Sequence, residues 1–536
     1  MSKMSNAVKE NTKLHLNEIT VNFMGGTSYK VDPLLTLKMI AASSIFGEAS
    51  YYRSNIKDGR FSFNNKFSDD LMKELFSSFK NKTTTEIFEE AIDDALSFNY
   101  EETLKLAVEL RNEYNMRLNP QIIMVRAAIH RNRKEFTSTN SGKFDYYNQK
   151  VMLRPDEPIT QLTYYIFINK GKKKIPTILK NSIAKKLSSL SALSVNKYKN
   201  HEIGMINAVR ITHANSKVID ELMKTGKVTV PAEKQTWEQK RSAGASWKEI
   251  LEEDTFQHMA ILRNLRNIFT EINDIDICKT TMEKLKSGVL TGKQFPFRYY
   301  TAYQMIAKDD FVKCKTIILD VLEECIDISI ANLPKLKGKT VCLSDNSGSA
   351  WGCIPTEYGS VRVAEIDNLS SVIAAKCSDE GYVVKFGDEF REFPIGKRDG
   401  TLKLAQEISK DEMDDVGGAT EGGIWKFFKR AIENKIVYDN IFIFSDQQAG
   451  TGGLYGTNID KKEYLANYGC GRYINVYKLI LDYRKINPKV NVFSVQTAGY
   501  DNILLPQNSY RCSLLTGWTG KEISYAYQMN KIFDEM

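Results

Sequence analysis

A change of grammar near residue 335 constrains this 536-residue chain more than any other feature. Before it, from about residue 33 to 330, apolar residues recur at helical spacing between short polar breaks. After it, short apolar strand runs alternate with helical stretches. A chain of this length is too long for one core. The two grammars predict two domains, at 1–334 and 335–536, joined by the lysine-rich stretch 334–339.

In the first half a helix begins at Pro33, with Leu34, Leu37, Ile40 and Ala41 on one face. Thr84-Thr85 caps the next, and Glu86, Glu89 and Glu90 sit near its positive end. Helices through 101–114 and from Pro120 follow, then pairs at 158–190, 202–224, 246–270 and 296–330. Successive pairs of roughly 40 residues fit a HEAT-like α-solenoid. A compact all-α domain fits the same periodicity.

In the second half, strands are expected at 340–344, 382–386, 441–445 and 490–495, alternating with helices at 361–378, 421–435, 472–484 and 519–533. That is a doubly wound α/β sheet, whose ligands bind at the carboxyl ends of its strands. Three polar segments fall there. Asp345-Asn346-Ser347-Gly348-Ser349 leaves the first strand, Gly417-Gly418-Ala419-Thr420 precedes a helix, and Asp446 ends a third strand. Hard oxygens of this kind suit Mg²⁺, which is held by few protein oxygens and keeps the rest of its octahedron for water or a partner. Asp345, Ser347, Ser349, Thr420 and Asp446 are therefore the candidate ligands of a divalent cation. A strand-DxSxS, a loop threonine and a strand-Asp in that order resemble the metal-ion-dependent adhesion site of a von Willebrand factor A domain.

Composition is that of an ordinary soluble chain, 42% hydrophobic and 26% charged. No apolar run is long enough to cross a bilayer, and the polar N-terminus offers no signal core, so a cytoplasmic protein is expected. The eight cysteines all lie from Cys278 onward without a Cys-x-x-Cys pair, as expected of reduced core thiols. Net charge is only +8, but it is unevenly placed. The 44 residues between Glu157 and Glu202 contain nine lysines and no acid. Lys170, Lys172, Lys173, Lys174, Lys180, Lys197 and Lys199 belong to this window, which suits a polyphosphate backbone.

The five histidines show no metal-ligand spacing, and no catalytic constellation stands out. His130 precedes a second basic cluster, Arg131-Asn132-Arg133-Lys134, which reads either as an RNA surface or as a helix C-terminus. The acidic run 411–415 reads as a solvated turn, and Gly450-Thr451-Gly452-Gly453 lacks the lysine of a phosphate-binding loop. Two function classes remain. One is an RNA-binding scaffold; the other is a metal-dependent protein-interaction module with a peptide-binding helical solenoid.

Short motifs along the whole chain are similar to those of the Ro autoantigen family, in which a helical-repeat TROVE module precedes a von Willebrand A domain. Asn22-Phe23-Met24-Gly25-Gly26-Thr27-Ser28-Tyr29 looks like that family's opening, and Ile45-Phe46-Gly47-Glu48 through Tyr51-Tyr52 like its next segment. Asn196-Lys197-Tyr198-Lys199 with Val209-Arg210-Ile211-Thr212-His213 resembles its Thr-Lys-Tyr-Lys…Arg-Leu-Ser-His stretch. Ile261-Leu262-Arg263-Asn264-Leu265, Phe295-Pro296-Phe297 and Thr516-Gly517-Trp518 follow in the same order. The chain departs at Asn200-His201, where the family has a further basic residue, and at Glu421, where members commonly carry Asp. The resemblance implies a monomeric ring of helical repeats closed by the A domain. It implies small noncoding Y-like RNA on the outer surface and single-stranded 3′ ends of misfolded RNA in the hole. Lys197, Arg210 and His213, with His201 nearby, match the Y RNA side. The metal site would be open to an exoribonuclease or another protein, and no enzymatic activity is implied.

Overall fold

The computed structural model describes residues 19–21, 27–29, 32–42, 84–114, 116–169, 174–230, 236–253, 256–292, 294–351, 353–356, 359–418, 421–447, 475–497, 504–506, 509–516 and 520–535. Lys170, Lys172, Lys173 and Thr420 lie outside the described residues, as do segments 45–52 and 450–453 and most of 22–29. A short hairpin, β1 (Ile19–Val21) with β2 (Thr27–Tyr29), opens the described chain.

The first half is helical, as its periodicity requires. Asn99 caps the helix Tyr100–Asn112 by accepting from the Glu102 amide, and Ser216 caps Lys217–Thr225 in the same way. Gly226 ends the latter at φ 70°, a left-handed conformation that costs glycine little. Thr236 with Gln239 and Ser246 with Glu249 form two reciprocal capping boxes. Polar groups set the register between helices. Gln161 Nε2 reaches Gln121 Oε1 at 2.8 Å and Asn148 Oδ1 at 2.7 Å, and Asn148 donates to the Ser182 hydroxyl at 3.0 Å. These four buried side chains stand on four different helices, so any slip would strand an amide in an apolar interior.

The second half contains a six-stranded sheet of order β10-β9-β8-β3-β6-β7. Its strands are β3 (Leu336–Asp345), β6 (Ser378–Phe386), β7 (Phe390–Pro394), β8 (Asn440–Ser445), β9 (Asn491–Gln496) and β10 (Cys512–Thr516). All neighbours are parallel except β7, which pairs antiparallel with β6. A second hairpin, β4 (Cys353–Thr356) with β5 (Gly359–Arg362), precedes the helix Val363–Lys376. Alternation along each strand sends side chains to opposite faces. Cys342, Val383, Phe442, Phe444 and Phe493 pack toward the helix Val363–Lys376. Val341, Leu343, Ile441, Ile443 and Val492 pack toward Glu421–Glu433 and Val476–Tyr483. This is the α/β architecture read from the sequence. The strands β7 and β10, the hairpin and the helix Thr401–Ser409 were not foreseen, since each is too short or too mixed in pattern to declare itself.

Two expectations need correction. Residues 336–339 are not a linker but the start of β3; Leu336 is buried, and its amide donates to the Cys377 carbonyl at 2.8 Å. The acidic run is not wholly solvated either. Asp415 lies 2.6 Å from the fully buried Lys385 ammonium and 2.7 Å from Arg391. Lys385 and Asp415 meet as a close ion contact.

The helical half curls into a ring that the sheet domain closes. The last helix, Lys521–Glu535, brings Tyr525 against the opening helices, where its hydroxyl bonds Glu109. Lys38 joins the same carboxylate at 2.7 Å and lies 4.6 Å from the Tyr525 ring centre.

Candidate functional site

The strand order reverses direction at β3: the chain moves from β3 to β6 on one side and returns to β8 on the other. The crevice at such a point lies between the carboxyl ends of the two strands. Asp345 ends β3, and the β3–β8 register sets Ser344 beside Phe444, so Asp345 stands beside Ser445 and the following Asp446. Asp345, Ser347 and Asp446 are all essentially fully buried, and Ser349 is half-buried.

Local hydrogen bonds shape the DxSxS turn. The Ser347 amide donates to Asp345 Oδ1 at 2.9 Å, and the Ser445 hydroxyl donates to Asp345 Oδ2 at 2.5 Å. The Ser347 and Ser349 hydroxyls are 3.2 Å apart. The Gly348 amide donates to the Gly418 carbonyl at 2.8 Å, which brings the glycine loop before Thr420 onto the turn. After Asp446 the chain turns at Gln447, φ 66°, whose side chain is tied to Ser494 and to the Leu504 amide. Four of the five expected ligands therefore lie at one sheet edge.

Behind them stands the helix Val363–Lys376. Asn368 accepts from the Ser344 hydroxyl at 2.7 Å and exchanges amide bonds with Asn346 at 2.9 and 3.1 Å. Its neighbour Asp367 was not foreseen, although an Asp-Asn pair within so apolar a helix is a readable signal. Asp367 is fully buried, and neither of its carboxylate oxygens has a partner of good hydrogen-bond geometry, although the Thr497 side chain lies close enough to act on it. Burial holds its carboxyl well above the usual range, and the charges of Asp345 and Asp446 push the same way, against a weaker opposing pull from Thr497. Burial also raises Asp345, while Ser445 and Ser347 pull it down. Among the described residues, no three of Asp, Glu, His and Cys stand close enough to hold an ion unaided. Buried carboxylates at Asp345 and Asp367 with no ion pair among the described residues, next to two hydroxyls, fit a hard cation whose remaining ligands are hydroxyls and water.

The basic window is less bare than its sequence suggests. Lys185 meets Asp145 at 2.7 Å and Lys197 meets Glu238 at 2.7 Å, both acids coming from other helices. His201 lies 3.4 Å from Glu202. Burial alone would lower this imidazole, but the Glu202 hydrogen bond and charge, with Asp156 behind, more than offset it and raise its pKa. Lys174, Arg210 and His213 are exposed, and Lys180 and Lys199 are half-buried; among the described residues no ion pair holds Lys174, Lys180, Lys199 or Arg210. His213 ends the helix Met205–Thr212 in a left-handed conformation. In the second cluster Arg133 donates to the Ala128 carbonyl at 2.6 Å, a helix-end role, while Arg131 reaches Ser97.

No family-level sequence profile and no curated protein sequence matches the chain. A match does appear in three dimensions. The crystal structure of the Ro (RSR) protein of Deinococcus radiodurans superimposes with a TM-score of 0.56, over 82% of this chain and 93% of that one, at 13% identity. The chain has the Ro fold. Nearly the whole length of that Ro protein is spanned, so the likeness takes in both the helical half and the sheet domain. At this identity the Ro match fixes architecture, and the candidate residues rest on the geometry above.

Proposed function

We propose that this chain is a Ro-type RNA-binding protein that takes a small structured noncoding RNA on the outside of its helical half. The observation that carries this reading is the Ro fold combined with exposed Lys174, Arg210 and His213, of which Lys174 and Arg210 have no ion-pair partner among the described residues. Phosphates need such groups free, because an ammonium already held by a carboxylate releases few counterions when RNA arrives. Single-stranded 3′ ends of misfolded RNA are the second ligand proposed, entering the ring, since a duplex about 20 Å wide is excluded where an unpaired strand passes. The sheet domain is proposed to hold Mg²⁺ at Asp345, Ser347, Ser349, Thr420 and Asp446, with a partner carboxylate or water completing the shell. A place in noncoding RNA quality control, alongside an exoribonuclease, follows from the same reading. No catalytic role is proposed.

The deciding experiment is purification of the chain from cells followed by sequencing of the RNA that copurifies. Enrichment of one structured RNA supports the reading. Recovery of no RNA above background overturns it and favours the peptide-binding scaffold. A competition series then separates the two RNA modes: a duplex with a single-stranded 3′ tail is expected to outcompete the same duplex with blunt ends.

A further inference from the structure

We infer that Asp367 is a further, outer member of the cation site, a carboxylate that receives a hydrogen bond from an ion-bound water and adds a third negative charge. The inference rests on the cation reading proposed for Asp345 and Asp446.

A carboxylate removed from water with no donor to replace it is among the least favourable groups a core can hold. Asp367 is fully buried, and neither oxygen has a partner of good hydrogen-bond geometry, the Thr497 side chain offering only a weak contact. Its charged neighbours, Asp345 and Asp446, repel it. Among the described residues no ion pair reaches Asp367, and the buried lysine of the sheet, Lys385, is spent on Asp415.

Packing gives Asp367 no other purpose. It lies on the helix Val363–Lys376, whose next residue, Asn368, clamps the DxSxS turn through Ser344 and Asn346 and is itself bonded to the Ser409 hydroxyl at 2.9 Å. That clamp fixes the helix against the turn, and Asp367 on it comes near enough to Asp345 and Asp446 to feel their charges. Ordinary core residues fill the positions around it, including Ile366, Leu369 and Val372. An apolar side chain there would have packed at lower cost, so the carboxylate is explained by something positive that it faces.

Asp345, Asp367 and Asp446 do not gather closely enough to hold one ion together, since no three such groups do so among the described residues. A water between ion and carboxylate meets both constraints. Such outer partners orient the inner shell and raise affinity, and their loss typically weakens metal binding by roughly 10- to 100-fold. Charge at this distance also discriminates among ions, because attraction scales with the charge of the cation.

The test uses the full-length chain and its Asp367→Asn variant, which keeps shape and removes charge. Mn²⁺ binding is measured by calorimetry and Tb³⁺ binding by luminescence, and thermal denaturation without metal checks the fold. The expected result is a metal-free melting temperature no lower than that of the parent, with Mn²⁺ affinity reduced about 10-fold or more and Tb³⁺ affinity reduced further. Equal affinities in parent and variant overturn the role of Asp367 and leave the cation site standing. An equal loss for the two ions also overturns it, since a packing defect would not sense ionic charge. Failure of the parent to bind either ion overturns the cation reading and this inference together. Asp367→Ser, which is smaller and equally neutral, carries the same measurements if the Asn variant does not fold.

Discussion

Tyr525, on the last helix, donates its hydroxyl to the carboxylate of Glu109, 416 residues earlier in the chain. Lys38 binds the same carboxylate at 2.7 Å and stacks over both Tyr525 and Tyr114, whose rings stand 6.1 Å apart. One acid thus joins the beginning of the helical half to the end of the sheet domain. Neither half can present this contact alone.

Removing that acid is expected to be worse than removing the tyrosine hydroxyl. Tyr525→Phe loses one hydrogen bond to a charged acceptor, about 1.5–3 kcal/mol. Glu109→Ala also leaves Lys38 partly buried without its counter-charge, for a total on the order of 3–5 kcal/mol. Thermal denaturation ranks the two variants, and small-angle scattering is expected to show a larger radius for Glu109→Ala.

In the basic window the sequence treats all lysines alike, and the structure does not. Arg210→Ala is expected to flatten the slope of log K against log salt by about one unit. Lys185→Ala and Lys197→Ala should change it less, because Asp145 and Glu238 already hold those ammonium groups. Changing Lys172, Lys173 and Lys174 together should flatten the slope by up to about three units. Filter-binding titrations at several salt concentrations make the comparison; equal slopes throughout would refute RNA contact here.

Asp345→Ala is expected to abolish Mg²⁺ binding by calorimetry while the chain stays folded. The variant removes a buried charge along with two hydrogen bonds, so its metal-free stability should change by no more than about 1–3 kcal/mol. Mg²⁺ affinity equal to that of the parent would remove Asp345 from the site.

Acid should loosen the glycine loop only once the pH is low enough to protonate the Asp415 carboxylate. Burial works against the Asp415 carboxylate, but Lys385 and Arg391 outweigh it and hold its pKa below the usual carboxylate value. Its contribution is therefore fully present above the unfolded pKa and is lost as pH falls through the lower folded value. Asp415→Asn, which leaves Lys385 buried and unpaired at any pH, is expected to cost on the order of 3–5 kcal/mol and to remove that acid dependence. Denaturant titrations between pH 7 and pH 3 check both statements.

Local signals were legible wherever one residue type decides the outcome. Alternation announced β3, β6, β8 and β9, and strand-end carboxylates announced Asp345 and Asp446, because chain direction alone puts them at one edge. Partners supplied from far along the chain were not legible. The window from Glu157 to Glu202 contains no acid, yet Asp145 and Glu238 reach into it from other helices. Lys385 sits in the middle of an apolar strand pattern and gives no hint that Asp415 will bury with it. Asp367 shows in the sequence only as part of an Asp-Asn pair in an apolar helix; helical spacing shows which side of a helix is apolar, but not that this helix is covered all round.

The shared core beneath β3 has a consequence for how the molecule comes apart. One apolar cluster runs from Leu37 to Val228, and another gathers Trp247, Phe269, Leu322 and Cys325 together with Ile366, Phe442 and Phe493 of the sheet domain. The helices from 247 to 330 are thus, energetically, part of the domain that follows them. Cut at residue 334, the second piece would be left with a bare apolar wall and should be insoluble. Cut between 228 and 237, each fragment would keep its own interior, and the ring would become two separately folding bodies meeting at Glu109 and Tyr525.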